Sequence, residues 1–142
     1  MARQHKTRYG RKYMVWEILP LLNAEKIILD GEEMHVSNRL KTFLKGVACA
    51  ACGIEGRYFM KTRYSDQPRP HLNLYGINKH GHEVLMTSDH IVPRSKGGSN
   101  GLGNRQAMCE KCNTRKGNKM PEETNSEGQD LPDLLRPVLQ GL

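Results

Sequence analysis

The chain has little to bury. Only 37% of its 142 residues are apolar and 6% are aromatic, with one Trp and two Phe. No run approaches the ~20 apolar residues that a membrane helix requires. The basic stretch Met1 to Tyr13 lacks the apolar segment of a secretory leader. These absences argue against a membrane protein, a secreted precursor and a large-core enzyme, and they predict a cytoplasmic location. A small core usually needs a staple, either a disulfide or a metal.

Positive charge is abundant. Lys and Arg number 22 against 15 Asp and Glu, for a net charge of +7 and a pI of about 9.4. The charge is uneven. Residues 1–16 hold five bases and no acid, 17–36 are acidic at −4, 37–64 carry +5, 65–89 carry −1, 90–120 carry +6, and 121–142 return to −4. Two basic blocks that fold together would make a phosphate-binding face, although the same charges also suit a solvated surface.

Local signals predict an α+β chain with three parts: a basic arm plus a helix and hairpin extension over 1–46, a compact domain over 47–120, and an acidic tail over 121–142. Residues 1–12 read as a flexible arm. Val15, Ile18, Leu19 and Leu22 have helical spacing that Pro20 weakens. Asp30-Gly31 between apolar residues is a two-residue hairpin signal. Ser37 followed by Leu40, Phe43, Leu44 and Val47 predicts a capped amphipathic helix over 38–45. Strands are predicted at 58–64, 72–77 and 83–87, a loop at 91–103, and a helix at 110–116. In the tail, Leu131, Leu134, Leu135, Val138 and Leu139 form a stripe that could dock a partner or build a homodimer; we favour its packing on the chain's own surface or staying mobile.

The four cysteines form two C-x-x-C pairs, Cys49/Cys52 and Cys109/Cys112, separated by 56 residues. Each turn brings two sulfurs to one ion, and two turns complete a tetrahedral thiolate zinc site. Disulfides or free thiols are the other readings; the cytoplasmic composition disfavours the disulfides.

Between the pairs, and into the second, runs Ser88-Asp89-His90-Ile91-Val92-Pro93, then Gly97-Gly98, then Asn104, then Cys109-Glu-Lys-Cys112-Asn113-Thr-Arg115-Lys116. In order and spacing this resembles the HNH endonucleases over about residues 47–119, with Asn113 where many members carry a third His. The resemblance implies a small ββα-metal finger stapled by zinc, a hydrolase of DNA phosphodiester bonds, and a phage or mobile-element enzyme at work in a host cytoplasm. It makes His90 the general base, has Asn104 fix the loop and orient His90 through the backbone, and puts one catalytic metal on Asp89 and Asn113.

The residues support that chemistry on their own terms. A neutral imidazole is available near pH 7. Two hard oxygens from Asp89 and Asn113 suit Mg2+ or Mn2+ better than zinc. Arg94, Arg115 and Lys116 are candidates to hold DNA phosphates. Strand neighbours point to opposite faces, so Asp89 and His90 converge only if the strand ends or bends there. The competing reading is a zinc-dependent nucleic-acid-binding module without catalysis. Double-stranded DNA is favoured over RNA.

Overall fold

The computed structural model describes residues 5–121. It is a mixed α/β domain built on one antiparallel five-stranded sheet. The elements are β1 (Lys6–Met14), α1 (Val15–Ile18), β2 (Lys26–Leu29), β3 (Glu32–His35), α2 (Asn38–Lys41), β4 (Gly56–Tyr64), β5 (His71–Ile77), β6 (Glu83–His90), β7 (Arg105–Cys109) and α3 (Glu110–Lys116). The sheet order is β1-β4-β5-β6-β7, and β2 and β3 form a separate hairpin.

The hairpin follows from its turn. Asp30 and Gly31 have φ of 49° and 81°, the paired positive angles of a type I′ turn. Alternation then buries Ile27, Leu29 and Met34 while Ile28 stays exposed. The predicted helix over 38–45 is shorter than expected. Ser37 caps α2, its Oγ accepting from the Leu40 N–H at 3.5 Å, and the chain tightens into a 3-10 turn at Thr42–Leu44. The α1 turn, the hairpin and α2 enclose a core with Tyr13, Ile18, Leu22, Phe43, Phe59, Leu72 and Leu74 at its centre.

One further element differs from expectation, and one strand was not predicted. Residues 6–14 are a strand rather than an arm, paired antiparallel with β4 from Lys6↔Tyr64 to Met14↔Tyr58. The cause lies in alternate tyrosines: Tyr13 is 2% exposed and donates to Asp30 Oδ2 at 2.5 Å, while Tyr9 donates to Glu32 Oε1 at 2.7 Å. The register shifts between Tyr9 and Tyr13, where Gly10 takes a φ of 77°. Residues 105–109 are likewise a strand, which closes the sheet on β6 from Met86↔Cys109 to His90↔Arg105. The leucine stripe of the tail lies outside the described residues. No helix among the described residues is long and apolar enough to cross a membrane.

Candidate metal centre and hydrolytic site

The cysteines meet at the end of the β6–β7 pair. Cys49 sits beside the Ala48–Glu55 bridge, Cys109 ends β7, and Cys112 lies in the first turns of α3. In each pair the second cysteine's N–H donates to the first sulfur: Cys52 to Cys49 Sγ at 3.5 Å and Cys112 to Cys109 Sγ at 3.4 Å. All four sulfurs lie within 4.8 Å of one another, and the Cys52 and Cys109 sulfurs are 3.9 Å apart. Thiolates at ~2.3 Å from a tetrahedral zinc stand roughly 3.8 Å apart, so the donor set fits that ion. Burial pushes the Cys49 thiol up, but N–H groups of Cys52, Cys109 and Ala51 outweigh it and bring the thiol down to about 7. Burial pushes the Cys109 and Cys112 thiols above the ordinary value. The charge that burial resists is the charge zinc would neutralise.

The segment β6, loop, β7, α3 holds the remaining candidates. β6 ends at His90, yet Asp89 and His90 still take partners on opposite faces. Thr87 and Asp89 look toward α3: Asn113 Nδ2 donates to Thr87 Oγ1 at 2.9 Å, and Lys116 Nζ stands 3.2 Å from Asp89 Oδ2. Ser88 and His90 look the other way. Ser88 Oγ meets Thr42 Oγ1 of the 3-10 turn after α2 at 2.7 Å, and His90 Nε2 lies 2.9 Å from Asn100 Oδ1. The structure therefore sets Asp89 and Asn113 at one β6–α3 interface and His90 across the strand from them.

Asn104 closes the loop. Its Oδ1 accepts from the Val92 N–H at 2.9 Å, and its Nδ2 donates to the Val92 carbonyl at 3.0 Å and the Ser99 carbonyl at 2.8 Å. Its own carbonyl accepts from the Ile91 N–H at 2.9 Å. These bonds reach the residues after His90 rather than His90 itself. The loop needs Gly98, because a Cβ there would overlap the Val92 carbonyl oxygen and stand 2.9 Å from Asn104 Nδ2.

Lys116 corrects an expectation. Predicted to hold a DNA phosphate, it is 3% exposed, and its ammonium donates to the His90 carbonyl at 2.9 Å while pairing with Asp89. A helix-end lysine reads as surface, but here a carbonyl and a carboxylate lie below it. Arg94 is exposed in a 3-10 turn of the loop, and Arg115 is half-buried on α3. Two participants escaped sequence reasoning. Asn100 fixes the His90 ring, and Gln106 Nε2 donates to Asp89 Oδ2 at 3.1 Å. Only the position of Gln106 opposite Asp89 could have signalled either, and that needs β7 to be known.

Comparison with protein-family models matches residues 78–127 to the HNH endonuclease model. That segment, about a third of the chain, is similar to the HNH endonuclease family. The match opens at the turn before β6, takes in the clamped loop, β7 and α3, and ends beyond the described residues. It points to nuclease activity and a nucleic-acid partner. No curated protein and no solved structure matches the chain. The HNH segment thus contains Asp89, His90, Asn104 and Asn113 and the second cysteine pair, while the first pair comes from outside it.

Proposed function

We propose that the chain is a divalent-metal-dependent endonuclease that hydrolyses DNA phosphodiester bonds, with His90 as the general base and β6, β7 and α3 as its ββα-metal finger. One observation carries the reading: inside the family-matched loop, the half-buried His90 ring is held by Asn100. Asn100 Oδ1 can only accept, so in the neutral imidazole His90 Nε2–H donates and Nδ1 carries the lone pair that would take a water proton. Lys116 holds the His90 carbonyl, and Asn104 holds the Ile91 and Val92 backbone that follows it.

Asp89 and Asn113 offer hard oxygens that suit a cation such as Mg2+ or Mn2+, which would compete with the Lys116 ammonium for the Asp89 carboxylate. When bound, such an ion supplies positive charge to the leaving oxygen. Arg94 and Arg115 are the candidates to hold substrate phosphates. Zinc on Cys49, Cys52, Cys109 and Cys112 is structural, tying the start of the nuclease domain to its end.

Supercoiled plasmid tests the reading. Nicking is expected with Mg2+ or Mn2+ and not with EDTA. His90→Ala is expected to lower the rate by about 10²- to 10⁴-fold with zinc content and duplex affinity unchanged. Plasmid left intact by the wild-type chain in every metal overturns the reading; a His90→Ala variant cutting at the wild-type rate removes the base.

A further inference from the structure

We propose that a pocket between α2 and the start of β5, outside the HNH segment, binds a backbone phosphate of the nucleic acid. The proposal rests on the nucleic-acid part of the functional reading and not on catalysis. The pocket is about 230 Å³, and His35, Ser37, Arg39, Arg69 and His71 supply its polar lining. No acid is among the lining residues.

Arg39 is the centre of the argument. Its guanidinium donates to the Leu72 carbonyl at 2.8 Å and to Asn73 Oδ1 at 3.3 Å, both neutral acceptors. Among the described residues it meets no carboxylate. Arg8, Arg11 and Arg63 are more exposed, and each is paired with a carboxylate: Glu83, Glu17 and Glu32 respectively. Burial is the largest influence and disfavours the charge on Arg39; Tyr64 favours it, and Arg105 opposes it. A guanidinium withdrawn from water without a counter-ion is costly, and an arriving phosphate repays that cost with a two-pronged hydrogen bond. Arg69 is exposed, makes no ion pair among the described residues, and lines the pocket two residues before His71.

Position relates the pocket to the hydrolytic site. Asn38, next to Arg39, donates through Nδ2 to the Asn100 carbonyl at 3.4 Å, and the Asn100 side chain holds His90. Arg105, opposite His90 in the sheet, is close enough to act on Arg39. The helix that carries Arg39 is thus tied to the loop that holds His90.

The test uses the full chain carrying His90→Ala, a short DNA duplex, and salt from about 50 to about 200 mM. Arg69→Gln breaks no bond in the fold. It is expected to weaken binding by about three- to tenfold at the low-salt end and to reduce the log–log salt slope by about 0.9. Arg39→Lys keeps the charge but loses the fork, and is expected to weaken binding with the slope retained. Lys79→Gln, in the exposed turn before β6, is the control for general charge. Equal losses from Lys79→Gln and Arg69→Gln, or no loss from Arg69→Gln and Arg39→Lys, overturn the proposal. A third arm titrates inorganic phosphate against the His71 ring resonances. Phosphate that moves them while Arg69→Gln leaves duplex affinity unchanged assigns the pocket to free phosphate and also overturns it. Wild-type nicking is scored separately, so loss of the nuclease reading and loss of this one are distinguishable.

Discussion

Lys61 and Lys116 are buried to 5% and 3% exposure, and each ammonium is satisfied in the same way, by one carbonyl and one carboxylate. Lys61 donates to the Leu29 carbonyl at 2.7 Å and pairs with Glu32 at 3.2 Å; Lys116 donates to the His90 carbonyl at 2.9 Å and pairs with Asp89 at 3.2 Å. Their surroundings differ. Glu32 is also held by Tyr9 and Arg63, beside a core of Tyr13 and Phe59, and the whole clasp fastens the hairpin to the sheet. Asp89 lies in the HNH segment, its other donor among the described residues is the neutral Gln106, and the carbonyl held by Lys116 belongs to the proposed base. One device thus serves two ends. At the first the lysine is one of several cations and donors sharing a carboxylate. At the second it is the one cation paired with the carboxylate among the described residues.

The same contrast extends to what holds each end together. The β1–β4–β5 end rests on apolar burial, whereas the β6–β7–α3 end has four sulfurs and a polar loop. Removing the metal is the strongest way to separate them. Structural zinc contributes on the order of 10 kcal/mol or more to small zinc domains. Chelation, or Cys112→Ser, is expected to lower the melting temperature sharply and to release zinc, with amide exchange accelerating first in β7 and α3. Loss of zinc without a change in melting or exchange breaks the comparison, because the finger would then be self-supporting.

Exchanging the lysines tests the comparison next. Lys116→Met strands a buried carboxylate and is expected to cost about 3–5 kcal/mol in urea unfolding of the protein without divalent ion. Added Mn2+ should restore part of that loss and should stabilise the variant more than it stabilises wild type. Lys61→Met leaves Glu32 with Tyr9, Arg63 and partial solvent, so about 1–2 kcal/mol is expected, with no response to Mn2+. Equal costs and equal metal responses would make Lys116 a second structural clasp and nothing more.

How much of this could be read from the chain follows from the range of each interaction. The Asp30-Gly31 turn, the β4 and β5 strands, and α3 depend on neighbours in sequence, and their signals are local. The cysteine pairs are legible because chemistry restricts what two C-x-x-C turns can hold. β1 was not legible: alternating bases and tyrosines look like an arm until β4 offers an edge. The burial of Lys116 depends on two atoms of β6, twenty-six and twenty-seven positions back, which nothing in the helix announces. Asn100 is one polar residue in a glycine-rich loop until the loop is closed and its amide meets His90.

The smallest effect sharpens the comparison by isolating the structural clasp. The Tyr9 hydroxyl, donating at 2.7 Å, is the largest influence on the Glu32 carboxyl; burial opposes it, and Lys61 and Arg63 assist, so the carboxyl is held below 4.5. The folded chain therefore favours the ionised form. Its stabilisation is fully present above about pH 4.5 and is lost as pH falls through the lower folded value. Glu32→Gln is expected to cost about 1–2 kcal/mol near neutral pH, the worth of hydrogen bonds to a charged group. Below the folded value wild-type Glu32 is itself neutral, so the two stability curves should converge there. Unfolding by urea across that range reads the difference directly. A gap that stays constant down to the acid limit would show that Glu32 acts through packing rather than charge, and the likeness between the two lysine sites would then be geometric only.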